Sequence, residues 1–392
     1  YVVHNGEEEI VNAPSSEVTK GFLYDRPYKK TQASHSEPKI EEPSNLNKVL
    51  LRVLAHENVC SRAPVYEKYD KQVQGRTYIE TGLADAGVMA PFNSSEFPRE
   101  IRNVGIALST DNNPLHGLIN PYLSGINAVV EAMRNVASVG ATPHAITDCL
   151  CYGNPEKPEQ MWQFVEGVRG INDACKTITL KHSKGSPTPI IAGNVSFYNE
   201  SKDKPIPPSP IISCLGRIQD VKKAITMSFK RENSSIILIG KRKNELGGSI
   251  FYDLHNELGK NVPTPDLNEV KNQIYGITDC IERSLVFACH DISEGGVAAS
   301  LCEMAFGNSI GCSVNIESEL STEKILFSET GGFILEAKNE NIESIHSIFN
   351  QYKLEAYVIG ITGGNKIKLN NAINITVDDA KKSWENGLRN KL

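Results

Sequence analysis

Long apolar runs are missing from this sequence. No stretch of its 392 residues approaches the roughly 20 consecutive apolar residues that a bilayer-spanning helix needs. Hydrophobic residues make up 40% of the chain, and the length is sufficient to bury substantial cores. We therefore expect a cytoplasmic protein of two or three domains that has no membrane partner.

The sequence also has no excess of basic residues. Lys and Arg number 41 against 47 Asp and Glu, so the formal net charge is −6. A nucleic-acid-binding protein shows a clustered basic face, and we therefore expect no nucleic-acid partner. If a nucleotide binds, local hydrogen-bond donors and a metal ion must hold it, because no basic surface is available.

Paired cysteine motifs are absent as well. The chain has nine cysteines but no Cys-x-x-Cys pair, which excludes the spacing of a zinc ribbon. Cys149 and Cys151 are separated by one residue, and the other cysteines are scattered along the chain. An odd number favours free thiols in a reducing compartment, and most of them are expected to be buried structural residues.

Three common catalytic fingerprints are also missing. The sequence contains no GxxxxGK[ST] phosphate loop, no GxGxxG dinucleotide motif and no Ser-His-Asp order. The phosphate-binding potential of the Gly-rich HDISEGG segment (residues 290–296) is weaker, because Asp291 and Ser293 are equally good helix caps. We expect a structural turn at that segment.

The most informative segment that is present spans residues 147–200. Two stretches, 126–137 and 161–178, repeat apolar residues at helical spacing. Each is followed by a short β-prone run, 144–147 after the first and 189–192 after the second. The pattern predicts helix, strand, loop, helix, strand and loop.

Polar residues follow both predicted strands. Asp148 comes directly after the first, and Gly193 and Asn194 come directly after the second. A carboxylate only accepts hydrogen bonds, a glycine lets an anion approach the backbone, and an amide oxygen suits Mg²⁺. Ser196 lies two residues beyond Asn194, on the same side of an extended backbone. These residue types suit a polyphosphate with a divalent cation.

A simpler interpretation of the same residues stays open. Gly, Asn and Asp are the residues that dominate turns. Gly193 and Asn194 could form only a turn, and Asp148 could be an exposed loop acid.

Longer motifs run along most of the chain. In chain order they are VYEKYDKQVQG, DNNP, NPY, EAMRNVASVGATPHAITDCL, TDCLCYGNPEKPEQMWQFVEGVRGINDAC, AGNVSFYNES, IPPSP, ELGGS, HDISEGG and LFSET. Together they resemble one enzyme family, the formylglycinamidine ribonucleotide synthases of purine biosynthesis. The resemblance covers nearly everything from about Asn47 to the C-terminus.

The resemblance implies a pseudo-dimeric enzyme whose two halves share the fold of aminoimidazole ribonucleotide synthetase. It implies ATP and Mg²⁺ as ligands and formylglycinamide ribonucleotide as substrate. Carried over residue by residue, Asp148 and Gly193 match ATP contacts of the family, Asn194 matches its Mg²⁺ ligand and Ser196 matches a substrate contact.

One family segment is absent. The first half of the family carries an ESHNHPS-type segment with the catalytic histidine and a metal-binding glutamate, and this sequence has none. We therefore expect the chain to be the C-terminal half of a longer polypeptide, with no catalytic residue of its own. The resemblance implies the N-terminal half, a glutaminase subunit and a small accessory subunit as partners.

Several positions depart from the family pattern. Asn120 stands where an Asp is usual, and Cys151 replaces a common Asn. Asp111 and Asn120 lie in the segment where larger members hold a structural nucleotide, and the loss of a carboxylate would weaken Mg²⁺ binding there. The Lys, Ser, Gly and Pro content of residues 180–189 (LKHSKGSPTP) predicts an inserted, exposed loop.

The expected fold class is α+β, with two α/β sandwich units of the aminoimidazole ribonucleotide synthetase type. Residues 1–48 are expected to form a linker and the tail of the preceding half. Residues 49–221 form a unit whose strands join an interface barrel, 222–370 form a second unit, and 371–392 form a tail helix anchored by Trp384 and Leu388.

Two other functions remain open at this point. The chain could be a non-catalytic scaffold that shapes the cleft, or a homodimeric enzyme like aminoimidazole ribonucleotide synthetase. The presence of Asp148, Gly193, Asn194 and Ser196 favours the ligase half, whereas Asn120 favours the scaffold.

Overall fold

The N-terminal segment is a hairpin followed by helices. The computed structural model describes residues 1–21, 24–30, 35–41, 43–183, 185–202 and 204–392. The predicted linker is thus described in part, and its residues 22, 23, 31–34 and 42 lie outside the described residues. The elements of this N-terminal segment are β1 (Val2–Asn5), β2 (Glu8–Asn12), α1 (Ser15–Lys20) and α2 (Leu46–Leu54).

The first α/β unit is built on a six-stranded mixed sheet. Its elements, in chain order, are α3 (Ala63–Tyr66), β3 (Thr77–Ile79), β4 (Gly87–Met89), β5 (Gly105–Asp111), α4 (Pro114–Ile119), α5 (Pro121–Ser138), β6 (Thr142–Cys151), α6 (Pro158–Thr177), β7 (Ile190–Ser196), β8 (Glu200–Ser201), β9 (Lys204–Pro205) and β10 (Ser209–Ile218). The strand order is β3-β4-β5-β10-β6-β7. Only the β6–β7 pair in this sheet is parallel, and short β8 pairs with β9 apart from it.

Both helices predicted from apolar spacing are confirmed. In α5, Asn120 caps the N-terminus by accepting a 3.1 Å hydrogen bond from the backbone N–H of Leu123, and Pro121 occupies the first turn. Gly140, just after the helix, has a φ of +90°, the left-handed conformation that favours glycine. The second helix, α6, starts at Pro158 as expected.

The second unit contains a seven-stranded mixed sheet. Its elements are β11 (Ser235–Ile239), α7 (Ile250–Asp253), α8 (Leu267–Glu282), β12 (Val286–Asp291), α9 (Gly296–Phe306), β13 (Cys312–Val314), α10 (Thr322–Phe327), β14 (Phe333–Ala337), α11 (Ile342–Gln351), β15 (Ala356–Thr362), β16 (Lys366–Leu369), β17 (Ile373–Thr376) and α12 (Val377–Arg389). The order is β12-β14-β11-β15-β13-β16-β17. The expectation of a second α/β unit is confirmed.

Helix α5 lies between the two sheets and joins the units. Alternate residues of β11 point into two cores: Ile237 and Ile239 pack with α5 and α8, whereas Ile236 and Leu238 pack with α2 and α9. The two-unit α/β architecture is the fold expected from the sequence. In the described residues both sheets are open, and the described strands form no closed barrel.

Two of the predicted domain boundaries separate residues that the structure packs or pairs together. The boundary between 48 and 49 falls within α2, whose Val49, Leu50 and Val53 pack in the core of the second unit. The boundary between 370 and 371 falls between the paired strands β16 and β17. The tail helix α12 is held by Trp384, which donates a 3.0 Å hydrogen bond to the Val59 carbonyl and packs against Phe306.

One face of the first sheet is uncovered. Helices α5 and α6 cover the other face, so we call the uncovered side the open face. Tyr78, Met89 and Leu108 on it are 45%, 43% and 53% exposed, respectively. A sheet face with large exposed apolar side chains is a typical interaction surface.

No described helix has both the length and the hydrophobicity that a membrane crossing requires. All nine cysteines are free, and seven of them are buried. The expectations of free thiols and of mostly buried ones are therefore confirmed.

Candidate functional site

Asp148 lies inside a strand and not in a loop after it. Strand β6 continues to Cys151, and Asp148 pairs with Ile212 of β10 on one side and Gly193 of β7 on the other. The prediction of a strand ending before Asp148 was wrong, because the apolar run 144–147 is only part of a ten-residue strand. The residues after it alternate between the two faces of a sheet, which hides them from a search for apolar runs.

Gly193 lies directly beneath the Asp148 carboxylate. A Cβ placed on Gly193 would be 2.5 Å from Asp148 Oδ1 and 3.1 Å from Oδ2. Gly193 is within β7 and does not have a positive φ. The turn interpretation of Gly193 and Asn194 was therefore wrong. The sequence needs glycine here because the neighbouring carboxylate occupies the space of a side chain.

The Asp148 carboxyl is in a partly dehydrated position on the helix-covered side of the sheet. Burial raises its pKa, and a hydrogen bond from the backbone N–H of Asn194 partly offsets that effect. Its charge also acts on Tyr152 and on Cys175 of α6, whose pKa values are raised chiefly by burial.

Asn194 and Ser196 point to the open face, opposite to Asp148. Side chains alternate along β7, so Asn194 follows Gly193 on the other side, and its Nδ2 lies 3.8 Å from Cys149 Sγ of β6. Ser196 Oγ is 3.3 Å from Asn199 Oδ1. The structure thus brings the four predicted site residues onto two neighbouring strands, but Asp148 and Asn194 do not converge on one ion.

A second group of ionisable residues lies between the two units. One carboxylate oxygen each from Asp111, Glu131 and Glu294 lies within 4.8 Å of the other two. Burial, reinforced by neighbouring carboxylates, raises the pKa values of Asp111 and Glu131 well above the usual range. Burial together with the proximity of three carboxyl groups therefore disfavours their ionised forms.

Arg134 supplies positive charge at the same place. Its Nε donates a 2.5 Å hydrogen bond to Asp291 Oδ1, and its Nη2 lies 3.7 Å from Glu131. Burial raises the pKa of Asp291 to about 6 although Arg134 opposes that shift. Sequence reasoning named Asp111 but not Glu131, Arg134 or Glu294 as site residues. These three lie in the quoted motifs EAMRNVASVGATPHAITDCL and HDISEGG, but only the assembled fold brings the two motifs together.

His290 forms a buried ion-pair network that crosses from one unit to the other. Its Nδ1 lies 2.6 Å from Asp85 Oδ1 and its Nε2 lies 3.1 Å from Glu303 Oε2. Burial alone would lower the pKa of His290, but Asp85 and Glu303 outweigh burial and hold it well above the usual value. Neither Asp291 nor Ser293 caps the next helix, because Gly295 occupies the cap position in a left-handed conformation and no side chain caps it. The segment does form a turn, in which the Gly296 N–H donates a 2.9 Å hydrogen bond to the Ser293 carbonyl.

Asn120 lies at the N-terminus of α5, about three helical turns before Glu131. Its side chain caps α5, as described above, and the acids that lie together are Asp111, Glu131 and Glu294. The structural role of Asn120 as a cap explains why an amide serves at that position.

The inserted stretch 180–189 is fastened at its start. Lys181 Nζ is 2.7 Å from Asp279 Oδ1 and 2.7 Å from Thr278 Oγ1 of α8, and the side chain is 8% exposed. The exposed-loop prediction was wrong for Lys181, because helix α8 of the second unit offers it a carboxylate. Lys184 lies outside the described residues.

Two adjacent family matches cover most of the chain. The description "AIR synthase related protein, N-terminal domain" matches residues 84–218, and "AIR synthase related protein, C-terminal domain" matches residues 231–369. The chain belongs to the AIR synthase related protein family. The first match contains Asp148, Gly193, Asn194 and Ser196. The second contains His290 and its partner Glu303.

Curated relatives are similar over the full chain. The phosphoribosylformylglycinamidine synthase subunit PurL of Methanothrix thermoacetophila is 40% identical over 100% of this chain, which corresponds to 51% of that protein. PurL of Methanocaldococcus jannaschii is 36% identical over 96% of this chain and 51% of that protein. This member of the AIR synthase related family is homologous to PurL and spans about half the length of the curated relatives it matches.

Solved structures support the fold. Thermotoga maritima PurL complexed with FGAR superposes with a TM-score of 0.66 at 18% identity, covering 87% of this chain and 54% of that one. The same protein complexed with ATP gives 0.59 at 17% identity, covering 88% and 53%. The PurLQS structure from Thermotoga maritima gives 0.63 at 17% identity, covering 88% and 52%.

Proposed function

We propose that this chain is the C-terminal half of a phosphoribosylformylglycinamidine synthase large subunit. The observation that carries the proposal is the 40% identity to PurL over the whole chain, with only 51% of that protein covered. The proposed protein acts in the cytoplasm as an ATP-dependent carbon–nitrogen ligase of purine biosynthesis.

The proposed reaction converts formylglycinamide ribonucleotide, ATP and glutamine-derived ammonia to formylglycinamidine ribonucleotide, ADP and phosphate. ATP activates the amide oxygen as a phosphate ester, and ammonia then displaces phosphate. We assign the catalytic base to the N-terminal half. The fragment alone is therefore proposed to be inactive.

The part played by this chain is to hold ligands at strands β6 and β7. We assign Asp148 and Gly193 to ATP, because Gly193 leaves the backbone beside the carboxylate free of a side chain. Ser196 is assigned to the ribonucleotide substrate. Among the described residues its hydroxyl bonds only to Asn199, three residues beyond the end of β7, and it can exchange that partner for a ligand.

Asn194 fits the chemistry of a Mg²⁺ ligand. Its side chain is exposed, its Nδ2 is the atom near Cys149, and its Oδ1 has no hydrogen-bond donor among the described residues. Mg²⁺ commonly uses one or two protein ligands and takes the rest from phosphates and water. When bound, the ion supplies neutralisation of phosphate charge. One neutral ligand in this chain means that further protein ligands come from elsewhere.

The open face is the proposed contact with the N-terminal half. It presents Tyr78, Met89 and Leu108 to solvent, and β3 and β7 are edge strands that a second sheet can extend into a barrel. This pairing would complete the interface barrel expected from the sequence. A glutaminase subunit and a small accessory subunit are the further proposed partners, and the solved PurLQS structure of the Thermotoga maritima relative supports a multisubunit assembly.

Asn194→Leu tests the metal assignment in enzyme reconstituted with the N-terminal half. The substitution keeps a similar volume but removes the amide oxygen. The Mg²⁺ concentration for half-maximal activity should therefore rise about 10-fold. The matched control is Asn58→Leu, another exposed asparagine away from both strands. An unchanged Mg²⁺ requirement in Asn194→Leu would remove Asn194 from the metal site.

A further inference from the structure

Cys149 and Cys151 form a thiol pair on the open face. They are two residues apart in β6, so their side chains point to the same side of the sheet. Their Sγ atoms are 3.8 Å apart and both residues are partly exposed, whereas the other seven cysteines are buried. This pair is therefore the one place in the chain's described residues where two solvent-accessible thiols lie together.

The strand geometry opposes a disulfide between these thiols. A disulfide requires Cβ atoms about 3.5–4.5 Å apart, whereas residues i and i+2 of a strand are separated by about 6.6 Å along the chain. Strand β6 cannot contract easily, since Cys149 and Cys151 pair with β10 on one side and with Asn194 and Ser196 of β7 on the other.

The same separation suits a shared metal ion. In a tetrahedral site with metal–sulfur bonds of about 2.3 Å, two thiolates lie about 3.8 Å apart. The observed Sγ–Sγ distance of 3.8 Å meets this requirement without movement of the backbone. The side-chain amide of Asn194, 3.8 Å from Cys149 Sγ, lies beside the remaining coordination positions of such an ion.

We propose that Cys149 and Cys151 form a two-thiolate site for a thiophilic divalent ion such as Zn²⁺ or Cd²⁺. Each thiol releases one proton to solvent and forms one metal–sulfur bond, and neither sulfur nor metal changes oxidation state. Water completes the coordination beside the Asn194 amide. This site is distinct in chemistry from a Mg²⁺ site, since Mg²⁺ prefers oxygen ligands, and it does not depend on the proposed ligase function.

Cd²⁺ titration of the reduced chain tests the site directly. We expect one equivalent of Cd²⁺ to produce a thiolate-to-cadmium charge-transfer absorption in the ultraviolet and to release two protons in weak buffer. Cys149→Ser and Cys151→Ser should each weaken binding about 10²-fold or more, because the chelating pair is lost. Cys214→Ala is the matched control, since it removes a buried thiol from the neighbouring strand β10, and it should bind Cd²⁺ like the wild type.

Alkylation of the wild-type chain provides a test that needs no variant. Cd²⁺ should protect both cysteines of the segment 135–157 from iodoacetamide, as measured by mass spectrometry of the digested chain. The proposal would be overturned if wild-type chain with Cd²⁺ showed neither the thiolate-to-cadmium absorption nor protection of the two cysteines from iodoacetamide. An undiminished band in the Cys149→Ser/Cys151→Ser double variant would also overturn it, because the ion would then be bound elsewhere.

Discussion

At the scale of single residues, the contact between Gly193 and Asp148 determines what either position tolerates. Gly193→Ala should destabilise the chain by about 1–3 kcal/mol, the usual cost of overpacking, because the added Cβ would be 2.5 Å from Asp148 Oδ1. The measurement is the free energy of unfolding in urea. In the Asp148→Ala background the same substitution should cost much less, and an equal cost in both backgrounds would show that the carboxylate is not the obstacle.

The sequence identified the right strands but not the positions of their residues within them. Asp148, Gly193 and Asn194 were predicted to follow two strands, and the parallel β6–β7 pair contains all three. The orientation was not predictable, because β6 extends through Thr147, Asp148 and Cys149, which lack an apolar signature. A polar residue inside a strand and one after it look alike in sequence.

At the scale of elements, the connection between α6 and β7 is fixed to helix α8 by Lys181 and by Thr179, whose carbonyl accepts a 2.5 Å hydrogen bond from the Tyr275 hydroxyl. Lys181→Met should cost roughly 1–3 kcal/mol, because it leaves Asp279 and Thr278 without the cation that both contact at 2.7 Å. Chemical unfolding measures the loss. Lys176→Met, at an exposed position near the end of α6, is the control and should be close to neutral. Equal losses of stability in the two variants would show that the contact of Lys181 with α8 does not stabilise the fold.

Helix prediction succeeded where apolar spacing was regular and a proline marked the first turn. Helices α5 and α6 begin at Pro121 and Pro158, each with a proline in the first turn. The Lys181 contact could not be predicted, because it joins residues 98 positions apart and a loop rich in Lys, Ser and Gly resembles any exposed loop.

At the scale of the whole molecule, buried charges join the two units. His290 contacts Asp85 of the first unit and Glu303 of α9, and the backbone N–H of Asp291 donates to the same Asp85. Arg134 of α5 adds a second connection through Asp291. These contacts hold the units in one arrangement, and they could not be predicted because pairing of distant charges depends on the assembled fold.

The raised pKa of His290 makes stability depend on pH. The folded state keeps the proton when the unfolded chain loses it near pH 6.5. The stabilisation of the folded state by protonated His290 is therefore complete below that pH. It declines by up to about 1.4 kcal/mol per pH unit as the pH rises toward the pKa of His290 in the folded state. Unfolding free energies from pH 7 to 9 should show this slope.

Two variants separate His290 from other histidines in that experiment. His290→Gln should be less stable at pH 7 and should lack the slope, since Asp85 and Glu303 then have no cationic partner. His182→Gln, at an exposed position, should retain it. A slope of the same size in His290→Gln would assign the pH dependence to another group.

The proposed division of labour between two halves is tested most directly by reconstitution. The purified chain is assayed for ATP- and ammonia-dependent formation of formylglycinamidine ribonucleotide, alone and after assembly with the N-terminal half, the glutaminase and the small accessory subunit. We predict no product from the chain alone and turnover from the assembly. Product formation by the chain alone, or an intact assembly that makes none, would contradict its role as the C-terminal half of the ligase.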